Sequence, residues 1–419
     1  MREKLVVVGQ GYVGLPLAMA AVDAGFDVVG IDVDDWRVKR LNAGESYVED
    51  IPDEQVAAAG RSGRYLASTD YADAEGFDLC VITVPTPLCE GAPDLRHIAA
   101  AGRSIAPLIR PGATVILEST TYPGTTEEYL LPLLEEGSEL SAPDDFHLGY
   151  SPERIDPGNE RWNLGNTPKV VSGIDERSLK RVQGFYERIV QEVVPVSSPK
   201  SAELCKLLEN TFRHVNIALV NELGIFAHQL GIDVWEAIDA AATKPFGYMR
   251  FVPGPGVGGH CLPIDPSYLS WSIKRGLGHN FRFVELANDI NRSMPDQVVH
   301  RVGLALNEHG KAVRGSRLLL LGLSYKKNVG DCRESPALEV AGAFAKLGAH
   351  VRAADPYVRD LRLPHGVDLV EATSNELAAA DAVVILTDHD CFDYRLAEQV
   401  CTFVFDTRNR CRGPNVRRL

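Results

Sequence analysis

The sequence predicts an α/β protein in which two Rossmann-like parallel-sheet domains are joined by a central helical domain with a long helix. Three observations predict it. Over the first 198 residues short apolar runs alternate with helical patterns, which reads as βαβ units feeding a parallel sheet. From Ser201 to Leu230 there is no proline and no glycine except Gly224, and apolar residues recur at spacings of three and four. From Arg317 onward the strand–helix alternation returns. The expected domains are 1–198 (cofactor-binding), 199–300 (helical, dimerising) and 301–419 (ligand-binding).

The elements follow in order. Lys4–Val8 and Asp27–Ile31 read as strands around a helix at Leu15–Ala24. Leu79–Val84, Thr114–Leu117, Phe146–Tyr150, Lys169–Val171 and Glu192–Val196 continue the first sheet. Ser198-Pro199 starts the long helix, with Leu204, Leu207, Leu208, Thr211, Val215, Leu219 and Leu223 on its apolar stripe. Such a helix serves as a dimer spine or as an internal connector. Further helix is expected at Val234–Ala242 and Pro266–Lys274. Strands at Arg317–Leu321, His350–Ala354, Ala382–Leu386 and Phe403–Phe405, with a helix at Pro336–Lys346, build the last domain.

Composition narrows the class. Hydrophobic residues make up 45% of 419 and charged residues 24%, the profile of a water-soluble globular protein. A formal charge of −14 argues against nucleic acid or an anionic membrane as partner. MREKLVVVGQG has four consecutive apolar residues before Gly9, which is a buried strand rather than a signal peptide. No run approaches the ~18 apolar residues of a membrane span. The eight cysteines include no CxxC pair, so a reduced, cytoplasmic protein without a metal is expected.

Gly9-Gln-Gly-Tyr-Val-Gly14 sits between a strand and a helix. Gly9 permits the turn, Gly11 lets backbone approach a pyrophosphate, and Gly14 lets helix and strand pack closely, with Tyr12 and Val13 lining the same turn. The helix N-terminus offers unpaired N–H groups to phosphate. Asp32, at the end of the next strand, is placed to bind ribose hydroxyls and to repel a 2′-phosphate, and Arg37 lies close by in sequence. NAD is therefore the expected cofactor.

Val84-Pro-Thr-Pro87 and Glu118-Ser-Thr-Thr121 end two strands, where ligands of parallel sheets collect. Thr86 and Thr120 there either touch the cofactor or cap the following helices. Glu153, in Ser151-Pro-Glu-Arg-Ile155, either activates water or pairs with Arg154. Lys206 and Asn210 share a helix face and suit an oxyanion, or belong to a surface polar stripe. Gly322-Leu-Ser-Tyr-Lys326, with Asp331 and Arg333, carries cations suited to phosphate, or is a solvated loop.

Cys261 lies in Pro253–Asp265, PGPGVGGHCLPID, a backbone whose glycines point to close approach by a ligand. Asp265 lies four residues on and is a candidate base. A thiol beside a nicotinamide cofactor permits two oxidations in one site, because an aldehyde held on sulfur can lose a second hydride and leave as an acid.

GQGYVGLPLA, VPTP, ESTTYPGTT, SPERIDPGN, KLLENTFRHVNIALVNE, PGPGVGGHCLPID and GLSYKKNVGDCRESPA together resemble the UDP-glucose/GDP-mannose dehydrogenase superfamily over essentially the whole chain. The resemblance implies a homodimer that oxidises C6 of a nucleotide sugar with two NAD. It implies Cys261 as nucleophile, Lys206 and Asn210 as oxyanion stabilisers, Asp265 with Thr120 handling water and protons, and Glu153 as acid/base. It also implies substrate contacts from Glu153, Arg154, Lys206, Asn210, Gly258 and Lys326, a cofactor contact from Arg333, and a dimer-crossing cation at Lys244 or Arg250. The wording around the thiol is closest to the UDP-N-acetylglucosamine branch. His260 stands where UDP-glucose enzymes have serine, and Pro263-Ile-Asp replaces Pro-Lys-Asp. The alternatives are a UDP- or dTDP-glucose enzyme, a two-electron dehydrogenase with a structural Cys261, and a non-catalytic NAD-binding protein.

Overall fold

The computed structural model describes residues 2–48, 50–89, 91–156, 159, 161–259, 262–358 and 362–419. His260 and Cys261 lie outside the described residues. The chain forms two compact units, Met1–Glu209 with Ser267–Gly278, and Asn210–Pro266 with His279–Leu419.

The first unit is built on an eight-stranded sheet. Its strands are β1 (Lys4–Val8), β2 (Asp27–Ile31), β3 (Tyr65–Ser68), β4 (Leu79–Ile82), β7 (Thr114–Leu117), β8 (His147–Tyr150), β9 (Lys169–Gly173) and β10 (Val193–Pro195). A short hairpin, β5 (Leu88–Cys89) with β6 (Ala92–Pro93), stands apart. The spatial order is β10-β9-β8-β7-β4-β1-β2-β3. The inner strands are apolar runs because helices cover both faces. Leu5 and Val7 face one core with Leu15, Leu17 and Phe26, while Val6 and Val8 face the other with Ile98, Ile105 and Leu134.

The sheet departs from the parallel expectation at one step, since β8 and β9 are antiparallel. A parallel neighbour needs a crossover helix, whereas an antiparallel one does not. The described part of 151–168 contains no helix, so the chain simply turns back.

The second unit holds a six-stranded, all-parallel sheet in the order β13-β12-β11-β14-β15-β16. The strands are β11 (Arg317–Leu321), β12 (His350–Ala354), β13 (Val367–Leu369), β14 (Ala382–Ile385), β15 (Val404–Asp406) and β16 (Val416–Arg418). Helices Pro336–Lys346 and Arg282–Glu308 pack on one face through Phe344, Val340, Val298 and Val302.

The long helix spans Pro199–Gln229, 31 residues or about 46 Å. Pro199 supplies a preset φ at its start, and the Ser198 hydroxyl accepts from Ser201 N–H at 3.3 Å. The structure splits the expected apolar stripe. Leu207 and Thr211 are buried, but Leu204, Leu208, Leu219 and Leu223 are exposed, together with Phe212 and Phe226.

Candidate active site

The glycine turn is built as its spacing requires. Gly9 has φ +94°, and a Cβ there would lie 2.9 Å from the Thr83 carbonyl oxygen. A Cβ on Gly14 would lie 1.8 Å from the Gly9 oxygen, so only glycine lets the helix Gly14–Asp23 start this close to β1. Gly11 has open space around it. Val13 precedes that helix with no side-chain cap, and Tyr12 is exposed. Thr83, which the motif reading passed over, anchors the turn by donating to the Gly9 oxygen at 2.8 Å.

Asp32 is 6% exposed and directly follows β2. Its Oδ2 accepts from Gln10 N–H at 2.8 Å and its Oδ1 from Asp34 N–H at 2.9 Å. Arg37 Nη1 lies 3.3 Å from Oδ2, and Tyr47 donates to the Gln10 oxygen at 2.5 Å. The turn, the uncapped helix and the carboxylate fit a dinucleotide: pyrophosphate against backbone N–H groups, ribose against Asp32.

The threonine loops lock together. Thr86 Oγ1 donates to the Thr120 carbonyl at 2.8 Å, and Ser119 Oγ to the Val84 carbonyl at 2.7 Å. Thr86 is buried and Thr120 half-buried. Tyr268 donates to the Thr86 carbonyl. Behind them, buried Glu203 accepts from Gly124 N–H (2.6 Å), Thr126 N–H (2.9 Å) and Thr126 Oγ1 (2.7 Å).

Glu153 is buried, and the structure rejects the pairing with Arg154. Its Oε1 accepts from Arg154 N–H at 2.6 Å and from Ile155 N–H, while Oε2 faces Lys169 Nζ at 3.3 Å. The Arg154 guanidinium instead donates to the Pro168 carbonyl and to Glu209 Oε1, both at 2.6 Å. Lys206 is 7% exposed, and its Nζ donates to the Glu153 carbonyl at 2.5 Å. A surface stripe is excluded for Lys206.

In the second unit, Asn210 is 1% exposed. Its Nδ2 donates to Asp265 Oδ2 at 2.6 Å, and its Oδ1 accepts from Arg213 Nη2 at 2.9 Å. The guanidinium thereby fixes which way the amide points. Asp265 is buried and opens the helix Asp265–Leu277.

The glycine loop is clamped from several sides. Gly254 N–H donates to Asn221 Oδ1 at 2.9 Å, and Gly259 N–H to the Arg333 carbonyl at 2.9 Å. Gly258 is buried against Tyr325, Glu334 and Pro336. The Arg333 guanidinium pairs with Asp331 at 2.6 Å, and Lys326 is half-buried. Arg250 pairs with Asp239 at 2.7 Å, and Lys244 Nζ lies 4.9 Å from the Phe246 ring centroid.

Two further residues went unnoticed in the sequence. Lys169 opens β9 and meets Glu118 and Glu153, a contact carried by residues 51 and 16 positions away. Arg408 lies beside the glycine loop, its Nη1 2.8 Å from where a Gly254 Cβ would be, with Nε donating to the Leu386 carbonyl at 2.7 Å. Burial pushes the Arg408 guanidinium below its usual range, against Asp388 and Asp406. No helix of the described residues is long and apolar enough to cross a membrane, and none of their His, Cys, Asp and Glu clusters could hold a metal ion.

Comparison with known proteins fits this geometry. Three models of the UDP-glucose/GDP-mannose dehydrogenase family match: the NAD binding domain over residues 3–190, the central domain over 200–293 and the UDP binding domain over 319–413. The UDP-N-acetyl-D-mannosamine dehydrogenase of Pyrococcus horikoshii is 35% identical over 390 residues, 93% of this chain and 90% of that one. The UDP-N-acetyl-D-glucosamine 6-dehydrogenase of Pseudomonas aeruginosa is 34% identical over 401 residues, 95% of this chain and 93% of that one. The solved UDP-D-ManNAc dehydrogenase of Pyrococcus horikoshii superposes with a TM-score of 0.90 at 33% identity, covering 99% of this chain and 98% of that one. The chain belongs to the UDP-glucose/GDP-mannose dehydrogenase family and is an NAD-dependent nucleotide-sugar dehydrogenase.

Proposed function

We propose that the enzyme oxidises the C6 hydroxymethyl group of a UDP-N-acetylhexosamine, UDP-N-acetylglucosamine, to the carboxylate, in a reaction that feeds polysaccharide synthesis. The observation that carries it is the burial of Lys206 and Asn210 one helical turn apart, each bonded beside an acidic residue. An ammonium and an amide held this way stabilise oxygen that gains negative charge. The named relatives support the N-acetylhexosamine class: their names carry N-acetylmannosamine, N-acetylglucosamine and N-acetylgalactosaminuronic acid.

NAD supplies the hydride acceptor. Gly9, Gly11 and Gly14 hold its pyrophosphate, and Asp32 its adenosine ribose. Asp265, with Thr120, takes the proton of the C6 hydroxyl. Lys206 and Asn210 steady the oxyanion formed when Cys261 adds to the aldehyde. After a second hydride leaves, the thioester is hydrolysed by a water that Glu153 activates. The balance is one alcohol, two NAD⁺ and one water giving one carboxylate, two NADH and three protons. Arg408, Lys326 and Gly258 serve the nucleotide sugar, with Arg154 shaping the Glu153 loop.

The enzyme acts as a homodimer. Leu204, Leu208, Phe212, Leu219, Leu223 and Phe226 form a row of exposed apolar residues along the long helix, an arrangement a lone soluble chain rarely carries.

A panel of UDP-N-acetylglucosamine, UDP-N-acetylmannosamine, UDP-glucose and dTDP-glucose, followed by NADH absorbance, tests the reading. Two NADH per UDP-N-acetylglucosamine are expected. One NADH per sugar sinks the covalent route, and preference for UDP-glucose sinks the substrate. Cys261→Ser is expected to abolish acid formation with NAD affinity intact.

A further inference from the structure

Two carboxylates and one ammonium are sealed together behind the site in the first unit. Glu118 directly follows β7 and is 1% exposed, and Lys169 opens β9 and is 2% exposed. Lys169 Nζ forms an ion pair with Glu118 Oε1 and lies 3.3 Å from Glu153 Oε2. Tyr186, the last residue of the helix Glu176–Tyr186, donates to Glu118 Oε2 at 2.9 Å. The Lys169 ammonium stands 5.2 Å from the Tyr186 ring centroid. The groups facing Glu118 are thus Lys169, Glu153 and Tyr186, while Glu153 also meets Lys206 through its carbonyl.

A buried charge without a partner is costly, and one ammonium cannot fully offset two carboxylates. The donors are unevenly shared. Glu153 Oε1 takes two backbone N–H groups, which favour its ionised form, and its Oε2 takes the ammonium. Glu118 has no backbone donor among its described bonds. We propose that Glu118 and Lys169 are positioning residues that keep Glu153 ionised and aimed, with Glu118 the member of the pair that holds the spare proton.

The titration directions agree with the geometry. Burial, eased by Lys169 and reinforced by Glu153, pushes Glu118 up to about 7. Burial also raises Glu153, but Lys169, the Glu118 contact, Lys206 and the Ile155 N–H outweigh it and hold that carboxyl below its usual value. On this proposal the proton of the pair rests on Glu118 rather than on Glu153. When it is present, Lys169 serves Glu153 alone.

The inference rests on Glu153 acting as the base of thioester hydrolysis, so the experiment includes Glu153→Gln. For the full-length enzyme, kcat and the KM for NAD are measured across pH with UDP-N-acetylglucosamine or the best nucleotide sugar of the panel. Wild type is expected to show an inflection in kcat near pH 7. Glu118→Gln, which keeps shape and loses the titration, removes that inflection and leaves the KM for NAD within about twofold. Lys169→Met lowers kcat at pH 7 at least about tenfold, because Glu153 loses the ammonium that keeps it ionised and aimed, and Lys169→Arg restores part of it. If Lys169→Met does not fold, Glu118→Gln alone decides. An inflection unchanged in Glu118→Gln, or absent from wild type, overturns the proposal while Glu153→Gln remains inactive. Full activity in Glu153→Gln overturns the role of Glu153 itself, and this inference with it.

Discussion

Replacing Gly258 by alanine tests whether the loop that leads to Cys261 is held by shape alone. A Cβ at Gly258 would lie 2.6 Å from the Glu334 carbonyl oxygen, 2.8 Å from Tyr325 Cβ and 2.9 Å from Pro336 Cδ. Carbon atoms sit comfortably at about 3.5–4.0 Å, so each contact is short by more than half an ångström. None of the three walls is a flexible side-chain tip. Glu334 already sits at φ +50°, and Pro336 begins a helix capped by Ser335. Gly259 N–H is bonded to Arg333 on the same wall, so the loop cannot slide away without losing that bond. Overpacking of this kind costs about 1–3 kcal/mol. For a unit of this size that is a fall of about 2–4 °C in melting midpoint per kcal/mol. Activity should fall further, because an ångström of misplacement near reacting atoms costs about a hundredfold. The control is Gly184→Ala in the helix Glu176–Tyr186, where nothing lies within 4 Å of the new carbon. It should gain about 0.5–1 kcal/mol. The assay is thermal unfolding followed by fluorescence, alongside kcat/KM. Wild-type melting and turnover in Gly258→Ala would refute the reasoning, as would an equal loss in Gly184→Ala.

Asp32→Ala removes the acceptor for Gln10 and Asp34 N–H and should raise the dissociation constant of NAD at least about tenfold, or 1.4 kcal/mol; titration calorimetry showing unchanged affinity rejects the assignment. Asn210→Ala should lower kcat by about a hundredfold or more with NAD binding intact, the cost of one oxyanion donor; a change confined to KM would count against that role. Burial pushes Glu203 up to about 7, against its three hydrogen-bond donors. The folded chain then holds a proton there that the unfolded chain has released, so this contribution to stability falls as pH rises from 4.5 to 7. Glu203→Gln should flatten the decline, by up to about 3 kcal/mol; a stability gap between variant and wild type that is the same at both ends of that range contradicts it. Leu208→Glu with Leu219→Glu should shift sedimentation from dimer to monomer, and a wild type that sediments as a monomer removes the dimer.

The elements with strong periodicity were legible in the sequence. β1, β2, β7, β11 and β12 match their apolar runs residue for residue, because buried parallel strands are short, apolar and bounded by turns. The helix Arg282–Glu308 was not legible: it carries Pro295 and Gly303 in its interior, both of which read as breaks. The reversal at β9 was hidden too, since strand direction is set by the length and form of the connection rather than by the strand. Motif residues such as Gly9 and Gly14 were legible because a turn demands them. Lys169 and Glu118 were not, since their meaning lies in a contact between distant strands.

Similar strand–turn–helix openings serve different ends in the two sheets. Each places an aspartate after its second strand, Asp32 after β2 and Asp355 after β12. Asp355 accepts from Leu323 N–H at 2.7 Å, Ser324 N–H at 2.9 Å and Tyr357 N–H at 3.0 Å, and it also meets buried His389 at 2.9 Å. His389 Nδ1 in turn accepts from Asn328 N–H at 2.8 Å, so its other nitrogen carries the proton that Asp355 receives. The helix after β11 begins at Pro336 with Ser335 accepting from Ala337 N–H, whereas the helix after β1 has no side-chain cap. The first opening thus has no side-chain cap over the helix start that would meet phosphate. The second spends its helix cap and its carboxylate on holding the segment 322–335 in place. That segment then supplies the walls for Gly258 and the acceptor for Gly259. The aspartate proposed to read a ribose in the first sheet has its counterpart, in the second, in part of the mount for the loop that leads to Cys261.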